Sequence, residues 1–100
     1  SLPKDRTTFP GTFHLGQNYP NPFNPQTTIT FDLLERSFVN LNIYDSRGAL
    51  VHNILRNYKN GGHHELRLQL NLPSGIYFYE LQAFSGAENF KDIKKMVLIR

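Results

Sequence analysis

From residue 27 the chain alternates apolar and polar side chains with a period of two. In the run from Thr27 to Leu33, Ile29, Phe31 and Leu33 share one face, and Thr28, Thr30 and Asp32 share the other. Val39, Leu41 and Ile43 alternate in the same way with Asn40, Asn42 and Tyr44, and Leu66, Leu68 and Leu70 with Glu65, Arg67 and Gln69. Alternation over about four to eight residues marks a strand with one buried face. Asp45-Ser46-Arg47-Gly48 predicts a tight turn, because Gly accepts a positive φ, and makes residues 48–56 the hairpin partner of the strand before it. Residues 57–62 form a second turn signal, residues 72–75 a break and residues 85–89 a third turn. The β-prone run 76–84 and the closing run 90–100 complete six strands, and a seventh is expected near 13–17. Tyr77 and Tyr79 then share one face of their strand and Phe78 the other. Turn signals recur about every ten residues, and no window favours the helical period, which predicts an all-β, Ig-like sandwich of about seven antiparallel strands with essentially no helix.

Upstream of residue 27 the pattern changes. Residues 1–14, with Pro3, Pro10 and Gly11, read as a linker to a cargo region, and residues 15–100 as the domain. Pro20, Pro22 and Pro25 remove three N–H donors, so a central strand cannot form there. Tyr19 and Phe23 are expected to pin an extended, polyproline-like segment onto the domain.

Composition narrows the class. The 100 residues are 39% hydrophobic and 19% charged, which suits one globular domain. No apolar run reaches the roughly 20 residues that span a bilayer. There is no cysteine, hence no disulfide and no thiolate chemistry. The chain opens on Ser1 with no signal peptide and reads as a piece of a longer protein. Charges balance over residues 1–50 and again over 51–90. The net +3 sits in the last ten residues, where Lys91, Lys94, Lys95 and Arg100 face only Asp92. A nucleic-acid module would spread a basic face over several elements, so no nucleic-acid partner is expected.

The search for chemistry yields no catalytic constellation, no cofactor motif and no metal cluster. Ser1–Lys4 matches S-x-x-K but lies in the linker, without the helix that motif needs. His63 and His64 are neighbours in a strand and point to opposite faces, so they read as hydrogen-bonded strand histidines. An Ig-like accessory module of a secreted hydrolase, binding protein or carbohydrate, the latter stacked on Tyr44 or Tyr77, stays open as the alternative. The last strand is anomalous: Lys95 shares a face with Ile93, Val97 and Ile99, and Lys94 and Arg100 share the other with Met96 and Leu98. Lysines there guard an edge strand against aggregation, or mark it for recognition.

Four stretches carry a resemblance. LGQNYPNPFNPQTTITFDL (15–33), IYDSRGALV (43–51), LPSGIYFYELQA (72–83) and KKMVLIR (94–100) resemble, in order and spacing, the type A C-terminal sorting domain of the type IX secretion system. The resemblance implies an Ig-like domain at the end of a large secreted protein of a Gram-negative bacterium. Cargo crosses the inner membrane on a signal peptide and is then directed through an outer-membrane translocon to the cell surface or medium. A sortase-like protease is implied as a second partner, cutting within or near residues 1–14, so that the domain is substrate and never enzyme. Lys94, Lys95, Met96, Val97, Leu98, Ile99 and Arg100 match the terminal recognition motif. Gly75, Ile76 and Tyr77 match the penultimate-strand motif, and Tyr19, Pro20, Asn21, Pro22 and Phe23 the opening motif, whose role is read as structural. A monomer that spans no membrane is expected. So is a terminal strand with an open backbone rim, onto which a receptor strand can add, with Lys94 and Lys95 complementing an acidic receptor surface.

Overall fold

The computed structural model describes residues 12–86 and 88–100. Most of the expected linker, including Ser1 and Lys4, lies outside the described residues. Seven strands follow one another: β1 (His14–Leu15), β2 (Gln26–Leu33), β3 (Ser37–Asp45), β4 (Leu50–Lys59), β5 (Gly62–Gln69), β6 (Gly75–Ser85) and β7 (Glu88–Leu98). They form a three-stranded sheet in the order β1-β2-β5 and a four-stranded sheet in the order β4-β3-β6-β7. Every strand pair within the two sheets is antiparallel. The described residues contain no helix, so none that is long and apolar enough to cross a membrane.

The period-two readings hold strand by strand. Ile29, Phe31 and Leu33 of β2, Val39, Leu41 and Ile43 of β3, and Tyr77, Tyr79, Leu81 and Ala83 of β6 are all buried. They meet between the sheets in one core that also takes Leu68, Leu70, Met96 and Leu98. The predicted turn forms as read. Gly48 adopts φ +88°, and the Asp45 carboxylate accepts the amides of Arg47 (2.9 Å) and Ala49 (3.0 Å).

Two expectations need correction. Phe13 and His14 belong to the sandwich rather than to the linker: Phe13 is buried and stacks on Phe90 at 5.5 Å, and His14 pairs with Asp32. The strand expected near 13–17 thus forms as β1, overlapping the end of the segment read as linker. Tyr19 is no pin, being 80% exposed while Phe23 is 2% exposed. Tyr19 and Thr28 exchange backbone hydrogen bonds at 2.9 Å, and this places the Tyr19 ring on the solvent face with Thr28, because opposite residues share a face.

Candidate functional site

The motif stretches converge on one end of the four-stranded sheet. In the β6–β7 ladder, Gly75 pairs with Leu98, Ile76 with Val97 and Tyr77 with Met96. On the other side of β6, Asp45 pairs with Tyr77 and Tyr44 with Phe78. The penultimate and terminal motifs are thus cross-strand partners, with the hairpin turn one strand further in.

β7 is an edge strand, but its rim is not free. In an antiparallel ladder, alternate residues turn both backbone groups away from the partner strand. Val97 is one of these, and its carbonyl accepts the Phe23 amide at 2.9 Å. The Phe23 carbonyl in turn accepts the Ile99 amide at 2.9 Å, a parallel bridge centred on Leu98. The Asn21 side-chain oxygen accepts the Val97 amide at 2.9 Å, and the Gln17 side-chain amide donates to the Lys95 carbonyl at 2.8 Å. Residues 17–23 therefore clasp β7 from Lys95 to Ile99. The expected open rim is corrected here: a receptor strand cannot add along these residues while the clasp is closed. Further back, the Asp92 carboxylate accepts the Ile93 amide.

The clasp is itself anchored. The Tyr79 hydroxyl donates to the Gly16 carbonyl (2.7 Å) and accepts the Asn18 amide (2.8 Å). Burial pushes the Tyr79 phenol up to about 12, so it stays a donor through the physiological range. Asn18 is buried and donates to the Thr27 hydroxyl and the Pro20 carbonyl, and Thr27 donates to the same carbonyl at 2.9 Å. Gly16 lies so close to the Thr30 hydroxyl that a Cβ there would collide with it. Among the described residues no buried side-chain polar atom lacks a partner.

The terminal motif is split between the two faces of β7. Met96 and Leu98 point into the core and are fully buried. Lys95 is exposed, Val97 half-buried and Ile99 50% exposed, all on the outer face. Beside them on β6 stand Ile76 and Phe78, opposite Val97 and Lys95. Lys94 lies on the opposite side of the strand and is half-buried. Neither Lys94 nor Lys95 is in an ion pair with a described residue, whereas Lys91 reaches Glu80 at 3.7 Å. The Arg100 guanidinium donates to the Leu72 carbonyl and its amide to the Ser74 hydroxyl, both at 2.8 Å.

The other candidates resolve into structure. His63 holds Asp32 at 2.6 Å and lies 3.6 Å from Glu65. The Asp32 hydrogen bond is the main cause of the upward shift of the His63 pKa. His64 stacks on Phe31 and bonds the Asn60 carbonyl. Among the described residues no group of three or more His, Asp or Glu could hold a metal ion. Tyr77 is in the core with its hydroxyl on the Pro73 carbonyl (2.7 Å), and Tyr44 donates to Glu80 at 3.0 Å. These two rings form no common platform.

The chain belongs to the family of secretion system C-terminal sorting domains, whose model matches residues 17–98. It is a sorting-signal domain of type IX secretion. No curated protein matches the sequence. Among solved structures, dimeric latent PorU from Porphyromonas gingivalis is similar over 85% of this chain, at 21% identity and a TM-score of 0.67. This chain corresponds to 9% of the length of that PorU chain. CopC from Methylosinus trichosporium OB3b is similar over 86% of this chain and 92% of its own, at 16% identity and a TM-score of 0.58. At these identities the likeness is one of fold, a two-sheet β-sandwich.

The clasp was missed at the sequence level. Its signal was present in the amide side chains Gln17 and Asn21 among the prolines, where backbone donors are scarce.

Proposed function

We propose that the outer face of β7 is the surface by which the type IX machinery recognises this domain and carries an attached cargo through the outer membrane. The observation that supports this is the clasp. It fixes β7 along its rim and leaves Lys95, Val97 and Ile99 in register on an exposed face beside Ile76 and Phe78. Met96 and Leu98 hold the strand in the core, Lys94 lies on their side of it, and Arg100 ties the end of the strand to Leu72 and Ser74. Recognition is then by side chains, with apolar contacts around one ammonium group that suits an acidic partner surface. The domain is address and substrate rather than enzyme. A sortase-like protease would act near residues 1–14, and the released cargo would reach the cell surface or the medium.

The test is export of a reporter fused ahead of residue 1 in a type IX-competent host. Lys95→Glu combined with Val97→Ser alters the outer face alone and should leave the fold intact and the reporter in the periplasm. Export equal to that of the unaltered domain would refute the assignment.

A further inference from the structure

The outer face of the three-stranded sheet carries a second, independent feature. Side chains there line up in rows across the strands. Tyr19 opposes Thr28, and Thr28 opposes Arg67. In the next row Gln26 opposes Gln69, and its side-chain amide donates to the Gln69 oxygen at 3.2 Å. Among the described residues the Gln69 amino group and the Gln26 oxygen have no other partner. The opening segment rises beside these rows and borders an open cleft of about 610 Å³, whose lining includes Pro20, Asn24, Gln26, Thr28, Arg67 and Gln69, with the buried Thr27 and Leu68 beneath. Arg67 is the one charged residue among those lining the cleft, and it is in no ion pair with a described residue. Tyr19 does not line the cleft, but it precedes Pro20, bridges Thr28 through the backbone and is 80% exposed.

An exposed ring, a proline ring, three side-chain amides, a hydroxyl and one free guanidinium form a distinctive set. A flat aromatic ring takes the C–H face of a pyranose. Amides and hydroxyls pair with sugar hydroxyls and set orientation. A guanidinium grips a carboxylate with two parallel hydrogen bonds. We propose that this cleft binds an acidic saccharide, with a pyranose stacked on Tyr19 and Pro20 and its carboxylate on Arg67. The cleft lies on the sheet opposite to the one that carries β7, so a cargo-sorting domain could hold a glycan while its terminal strand is read.

Affinity electrophoresis of the chain in gels containing polygalacturonate or a neutral β-glucan tests this. Polygalacturonate should retard the chain more than the neutral polymer does. Tyr19→Ala and Arg67→Ala should each reduce the retardation at least fivefold, and Tyr19→Phe should keep it. Arg56→Ala, which removes the same charge from the exposed face of β4, should also keep it. Circular dichroism of the Tyr19→Ala chain should match the parent, since that ring is solvated. Three results would overturn the proposal: no retardation by polygalacturonate, retardation that survives Tyr19→Ala, and an equal loss with Arg56→Ala, the last two marking simple ionic attraction.

Discussion

The two edges of the four-stranded sheet are protected in different ways. β4 lies along one edge, and none of the loop or turn backbone hydrogen bonds among the described residues reaches Leu50–Lys59. Its protection is generic. The β3–β4 pairing slips at Leu41/Asn42 and again at Ile43/Tyr44, and His52, Asn53, Arg56, Asn57 and Lys59 scatter polar groups along it. Bulges and charges of this kind suffice to discourage edge-to-edge pairing. β7 lies along the other edge and has lysines of its own, yet it also carries a dedicated strap from the start of the domain. Protection alone would not need residues 17–23. A strap that bonds Lys95, Val97 and Ile99 from outside fixes where the outer side chains point, which is what a readable surface requires.

Matched lesions sharpen this contrast. Phe23→Ala empties a buried site and loosens the clasp, and should cost about 3–5 kcal/mol in urea unfolding. Tyr58→Ala on β4 removes a 56%-exposed ring that touches Phe38 and Arg36, and should cost about 1 kcal/mol. Equal costs would mean that the clasp is no more than surface dressing.

A smaller effect separates the edges by pH. The amide of Ala49, then that of Arg47 and its charge, hold the Asp45 carboxyl below its ordinary value of 3.8. A depressed folded pKa contributes stability that is present above the unfolded value and is lost as pH falls through the folded one. Below about pH 4 the turn that leads into β4 should therefore loosen. The clasp is built from neutral amides and carbonyls and should not respond. Amide NMR shifts of Ala49 and Leu50 should titrate in that window while Val97 stays still. Titration of Val97 together with Ala49 would erase the distinction.

The sequence made the faces legible but not the neighbours. Period two sorted Ile29, Phe31 and Leu33 from Thr28, Thr30 and Asp32, and Tyr77 and Tyr79 from Phe78, because burial acts residue by residue. It also placed Lys95 on one side of β7 and Met96 on the other. It said nothing of β2 pairing with β5 across the intervening hairpin, since a strand pattern does not name its partner. Tyr19 and Phe23 illustrate the limit: both are rings among prolines, and only the backbone bridges to Thr28 and Leu98 decide which is buried. The terminal motif carried the family, whereas the contacts that restrain it come from the far end of the domain, among them Asn21 Oδ1, 76 residues from Val97.

Amide hydrogen exchange along β7 tests the clasp most directly. Val97 and Ile99 should be protected although they face away from β6, while Lys91 and Lys95, whose amides donate to no clasp acceptor, exchange quickly. Asn21→Ala should speed exchange at Val97 about fivefold, the loss of one hydrogen bond of about 1 kcal/mol, and leave Ile99 protected. Val97 and Ile99 exchanging as fast as Lys91 in the unaltered chain would contradict the account.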